Sequence, residues 1–283
     1  MSALLFIVSL AVLAWMLTGL LRRYALARSL MDVPNARSSH SVPTPRGGGV
    51  AIVIAFLLGL SLAFFTGFGI PAGLYYALLG AGAGIAVLGF FDDHGHIAAR
   101  WRLLGHFAAA IWALYWLGGL PPLAVFGMAL PEIVVHVLAA FYLVWLLNLY
   151  NFMDGIDGIA SVEAMCVALG GAAIWLLASG ISGTTNGWLV PLLLAAAVAG
   201  FLMWNFPPAR IFMGDAGSGF IGIVLGVLSI QAAIGQSELL WAWLILLGVF
   251  VVDATLTLLR RLVRGEKVYE AHRSHAYQFA ARL

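Results

Sequence analysis

Runs of roughly 20 apolar residues, the length that crosses a hydrocarbon core, recur from one end of this 283-residue chain to the other and leave only short connections. A chain patterned this way has too little polar surface to cover one water-soluble core. Hydrophobic residues make up 63% of it and charged residues 9%, far from the balance of a soluble domain. The sequence predicts an all-α, polytopic membrane bundle of nine spans, at about residues 2–21, 49–68, 71–91, 103–119, 132–152, 158–179, 188–206, 217–235 and 239–259. Arg22 and Arg23 follow the first run, where a secretory signal would carry them before it, so that run reads as a retained span. The single cysteine, Cys166, lies in an apolar run, excludes an intrachain disulfide and reads as a packing residue.

Lysine and arginine crowd the cytoplasmic side of membrane proteins. On the nine-span map all 14 basic residues fall on one side: in the first inner loop, at Arg100 and Arg102 in the second, at Arg210 in the fourth, and after the ninth span. The map therefore puts the N-terminus outside and the C-terminus inside. Asp92, Asp93, Asp154, Asp157 and Asp215 share the basic side, and Asp253 is left deep in a span. The outer connections, such as 118–131 and 179–187, carry turn residues and no chemistry. Gly80, Gly82 and Gly84 read as helix-packing contacts rather than a nucleotide loop.

Chemistry concentrates in the inner loops. Asn148, Asn151, Asp154 and Asp157 recur every three residues at the end of the fifth run and share one side of a helix end. Gly155 and Gly158 between them allow a sharp turn or a close approach. Carboxylates and amides so placed are hard oxygen ligands suited to Mg²⁺ beside phosphates; the plainer reading is a helix C-cap. The first inner loop, with its Ser, Arg and Gly-rich end at Gly47-Gly48-Gly49, suits an anion or an anionic lipid surface. Asp92-Asp93 reads as a metal- or proton-binding pair or a solvated cap. Asp215 sits between Gly214 and Ala216-Gly217 just before the eighth span, on a bend that would present it to a metal, with Phe212 near enough to stack on a base. His272-Arg273-Ser274-His275 lacks a further zinc ligand and reads as a phosphate contact. His106 and His136, inside spans, read as packing residues.

Asp92-Asp93, Asn-Phe-Met-Asp-Gly-Ile-Asp-Gly from Asn151, Phe-Met-Gly-Asp-Ala-Gly-Ser from Phe212 and His-Arg-Ser-His from His272 together resemble the polyprenyl-phosphate N-acetylhexosamine-1-phosphate transferases, the superfamily of MraY and WecA. The Arg-Ser-Ser-His and Pro-Thr-Pro-Arg-Gly-Gly-Gly loop, together with His-Arg-Ser-His-Ala-Tyr-Gln from His272 to Gln278, resembles the bacterial branch that initiates O-antigen or related surface polysaccharides. The resemblance implies one transferase domain over 1–283 in a bacterial inner membrane, with its catalytic loops in the cytoplasm. Family members usually have ten or more spans, a shortfall here that reads as C-terminal truncation or a missing closing helix.

The implied reaction is attack of undecaprenyl phosphate on the β-phosphorus of a UDP-N-acetylhexosamine, with release of UMP. The resemblance assigns Mg²⁺, or Mn²⁺ in its place, to Asn151 and Asp215. It puts Asp92 and Asp93 at the lipid phosphate and Asp154 with the catalytic carboxylates. Asp157 would read the uracil, Phe212 stack on it, and His272, Arg273 and His275 contact the pyrophosphate, while Asn148, Asn205 and Arg46 join the substrate-binding set. Partners implied are the UDP-sugar, the lipid phosphate, the bilayer and a second copy in a homodimer, with no nucleic acid. A cation-coupled transporter is the competing class, since carboxylates in broken helices also mark ion pathways.

Overall fold

A computed structural model describes residues 3–34, 41–95, 97–125, 128–179, 187–266 and 274–281. It contains α1 (Ala3–Ala27), β1 (Met31–Asp32), β2 (Thr44–Pro45), α2 (Gly49–Phe65), α3 (Ala72–His94), α4 (Ala99–Leu117), β3 (Ala124–Val125), β4 (Met128–Ala129), α5 (Glu132–Met153), α6 (Ile159–Ser179), α7 (Leu189–Asn205), α8 (Asp215–Gly235), α9 (Leu239–Leu246), α10 (Gly248–Val263) and α11 (Ala276–Ala280). The strands form two short antiparallel hairpins, β1–β2 and β3–β4. The rest is a helical bundle.

Each of the first eight expected spans coincides with one helix. Of these, α1, α3, α5, α6 and α8 are long and apolar enough to cross a bilayer alone, and α2 and α7 are shorter, at 17 residues each. The ninth span differs from expectation. It is broken at Leu247 into α9 and α10, whose axes meet at 72°. No proline or charge marks the break, and a Cβ on Gly248 would meet nothing within 4 Å, so the local sequence gives no packing reason for it.

Helix α8 is the axis of the bundle. Nearly every residue from Ala216 to Ala233 is buried, and α2, α3, α5 and α9 pack on it. Small residues make the approach possible, because between helices in lipid close packing replaces the hydrophobic drive. A Cβ on Gly222 would stand 2.6 Å from Leu147 Cα of α5, and one on Gly49 would stand 2.4 Å from Gly217 Cα. Gly80 and Gly82 serve as expected, against Trp112 and Phe220, whereas Gly84 faces open space. Cys166 is a correction to the packing reading: it is exposed, on the wall of an apolar groove.

Candidate active site

The N-terminus of α8 is built from both sides of the chain. The backbone N–H groups of Asp215 and Ala216 donate to the two Asp93 carboxylate oxygens at 3.2 and 3.3 Å. Asp93 is buried at the end of α3 and so caps a helix 122 residues away, satisfying donors that have no partner within α8. Gly214 makes the entering turn with φ +77°, and a Cβ there would stand 2.7 Å from Asp93 Oδ2. Asp93 thus holds the start of α8 through both carboxylate oxygens while also lining a cavity at this end of the bundle.

Its neighbour Asp92 keeps a chemical face. It accepts the Ile97 N–H at 2.9 Å and pairs with Arg102, whose Nη1 lies 3.7 Å from Asp215 Oδ2. Across from them, Asn151 of α5 donates through Nδ2 to Asp215 Oδ1 at 2.8 Å and to Ser218 Oγ at 3.2 Å. Asp92, Arg102, Asp215 and Asn151 therefore meet, although they come from α3, α4, α8 and α5.

The helix α5 stops at Met153, so Asp154 and Asp157 lie in the turn beyond it and do not share a helix face with the two asparagines. Gly158 there has φ +76°, and Gly155 admits the Tyr277 hydroxyl where a Cβ would stand 2.0 Å from it. Asp157 Oδ2 accepts the Ala209 N–H at 2.8 Å. Asn205 is buried, with Oδ1 on the Gly158 N–H and Nδ2 on the Ile211 carbonyl, both at 3.0 Å. It fastens the turn to the α7–α8 loop with both ends of its amide. Phe212 is held by its backbone, donating to Pro45 O at 2.8 Å and accepting from Gly48 N at 2.9 Å. Arg46 donates to the Asp93 carbonyl.

Two cavities meet at this centre. One, of about 460 Å³, is walled by apolar residues of α3, α4, α5 and α10 and holds Asp92, Arg102, His106 and Asn148. The other, of about 620 Å³, holds Asp32, Asp93, Asp154, Asp157 and Asp215 with Arg46 and Phe212. His106 was expected to be mere packing; it faces the first cavity, 3.3 Å from Asn148 Nδ2, whose second bond is to Val144 O at 2.7 Å. A third, apolar groove of about 1150 Å³ runs beside α6, α9, α10 and α11.

Asp253, left unexplained by the sequence, accepts the N–H groups of Ala276 and Tyr277 at 3.0 and 3.2 Å and so anchors α11. His275 is buried with Nδ1 3.4 Å from Asp253 Oδ1. Burial holds its imidazole below the ordinary histidine value against the pull of Asp253. His272 and Arg273 lie outside the described residues.

Five carboxylates face one arginine in the larger cavity, and the field they create is visible at Asp154. Burial, then the charges of Asp215, Asp93 and Asp157, push its carboxyl from 3.8 up to about 7. A raised acid binds its proton more tightly folded than unfolded, so this group's contribution to stability falls as pH rises between those values. Asp154→Asn is expected to melt above the wild type at pH 8 without divalent cation, the gap closing as pH falls towards 4. Equal melting temperatures across that range would contradict it.

Among the described residues no three His, Cys, Asp or Glu side chains form a metal-binding group. Asp215 and Asn151 nevertheless fit a hard cation that takes one carboxylate, one amide oxygen and the rest of its shell from phosphates and water, with the Asn151 amide turned to present oxygen. The carboxylates that add to burial in raising Asp154 favour the same charge.

The family model for glycosyl transferase family 4 matches residues 75–233, which span α3 to α8. The decaprenyl-phosphate N-acetylglucosaminephosphotransferase of Mycolicibacterium smegmatis is 31% identical, over 94% of this chain and 72% of its own length. A probable undecaprenyl-phosphate N-acetylglucosaminyl 1-phosphate transferase of Bacillus subtilis is 28% identical, over 96% and 75%. The phospho-N-acetylmuramoyl-pentapeptide-transferase of Streptococcus thermophilus is 30% identical, over 81% and 68%.

Proposed function

The chain belongs to glycosyl transferase family 4, and from that premise we propose that it transfers an N-acetylhexosamine-1-phosphate from a UDP-sugar to a polyprenyl phosphate such as undecaprenyl phosphate, releasing UMP. The observation that carries this is the Asn151–Asp215 pair on the boundary between a carboxylate-rich cavity and an apolar-walled one. An oxygen of the lipid phosphate attacks the β-phosphorus, the bond to the bridging oxygen breaks, and UMP leaves with the electron pair.

The larger cavity suits the nucleotide, with Phe212 available to a base and Asp157 to its edge. The apolar-walled cavity suits the lipid phosphate, with Arg102 and Asp92 beside it. Both substrates are anions entering a field of carboxylates, and Mg²⁺ on Asp215 and Asn151 would offset that repulsion and stabilise charge on the transferring phosphoryl group. Asp93 and Asn205 keep the two loops in register. A phosphate monoester near pH 7 is already largely ionised, so Asp92 is better cast as orienting the acceptor through Arg102 than as its base. The relatives give no support to a transporter.

The test is UMP release from a panel of UDP-N-acetylhexosamines with undecaprenyl phosphate as acceptor and Mg²⁺ titrated in. Turnover of at least one sugar that needs both acceptor and cation is the expected result; none with any sugar sinks the proposal. In the proposed orientation the site faces the cytoplasm of the bacterial inner membrane. Reporter tags after Ser179 and after Arg264 are expected on opposite sides, outside and inside, and finding both on one side would overturn the nine-span topology.

A further inference from the structure

The reaction proposed above joins an acceptor in one cavity to a donor in the other, so groups that line both are placed at the phosphorus. Among the described residues three do so: Asn151, Asp215 and Gln278. The first two are the cation pair, and Gln278 has no role yet. It is buried on α11, and its Oε1 accepts the His275 N–H at 3.2 Å, which commits the acceptor end of the amide to the backbone. The other end of the amide is its nitrogen, whose two N–H groups are the donors it can offer to the cavities.

We propose that Gln278 is a phosphate-binding residue whose side-chain N–H donates to an oxygen of the phosphoryl group in transfer, at the junction of the two cavities. A neutral donor has a clear use there. Asp215 and Asp92 repel phosphate oxygens, whereas an amide N–H donates to them without adding a charge. Asp253 fixes the first turn of α11 through two backbone bonds and so holds Gln278 before substrate arrives. The inference rests on the transferase reading.

Gln278→Glu separates this role from a structural one. Glutamate accepts the His275 N–H as glutamine does and serves equally in a capping box, so a residue needed only to cap α11 tolerates the change. A phosphate donor does not, because the exchange replaces an N–H by a second carboxylate oxygen. With the full-length protein in detergent, UMP release from a UDP-sugar that the wild type turns over is expected to fall about 100-fold in kcat, with the melting temperature unchanged. Gln278→Met, which removes donor and cap together, serves if the glutamate variant does not fold, judged on kcat per folded protein against the same loss. A well-folded variant within threefold of the wild-type kcat overturns the role of Gln278 and leaves the function standing. No turnover by the wild type with any UDP-sugar overturns the transferase reading and the inference with it.

Discussion

Asp215→Asn is expected to lower the rate of UMP release by about 10²- to 10³-fold, some 3 to 4 kcal/mol of lost electrostatic stabilisation, while leaving the melting temperature where it is. Position 215 opens α8, and aspartate at a helix start is ordinarily valued as a cap or for its favourable charge. Here those duties lie elsewhere. The Asp215 and Ala216 N–H groups are capped by Asp93, and asparagine can accept the Asn151 bond through its own Oδ1. What asparagine lacks is the charge facing a cation and a pyrophosphate. UMP release across a Mg²⁺ titration, with a melt as folding control, makes the comparison. A variant that melts normally and keeps most of its rate at every Mg²⁺ concentration would falsify the metal assignment.

Gly89→Val is expected to be worse for the molecule as a whole. A Cβ on Gly89 of α3 would stand 2.5 Å from Ala216 N and 2.6 Å from Ala216 Cα and Asp215 C. All three are backbone atoms at the start of α8 and cannot rotate aside. The helices must separate, and separation draws Asp93 away from the two N–H groups it caps. Overpacking of this kind costs about 3 kcal/mol, at the upper end of its usual range, and the lost cap adds to it. The expected outcome is a lower melting temperature together with loss of UMP release, whereas Gly84→Ala, at a glycine with open space around it, should leave both close to wild type. A Gly89→Val protein with unchanged melting and activity would show that α3 and α8 do not meet where their glycines and alanines place them.

Much of the fold was legible because a bilayer asks every segment for an apolar run, and the first eight expected runs each coincide with one helix, five of them long and apolar enough to cross alone. The break at Leu247 was not, since apolar residues continue on both sides of it and hydropathy cannot sense direction. The polar residues of the site were legible as a set for a related reason: each is costly near lipid without a use. Their division of labour was not. Asp92 and Asp93 are adjacent and identical in the chain, yet one pairs with Arg102 and the other caps a helix whose partners lie 122 residues on. Asn205 entered the substrate-binding set through the family resemblance, and no local pattern announces the partners its amide has, Gly158 and Ile211 of the loop backbone. Gln278 sits in a helix of five residues, too short for periodicity to mark it, and Asp253, which anchors that helix, reads in isolation as a stray charge in a span.

The most direct test of the central claim follows the phosphorus. UDP-N-acetylglucosamine labelled with ³²P in the β-phosphate is incubated with the protein, undecaprenyl phosphate and Mg²⁺, and lipid and nucleotide are separated. Transfer of sugar phosphate predicts that all reacted label moves to the lipid fraction and that the nucleotide released is unlabelled UMP. Label recovered in UDP, with sugar on the lipid, would mean that the glycosidic bond is broken instead, and would contradict a site built around Asn151, Asp215 and a phosphorus between them.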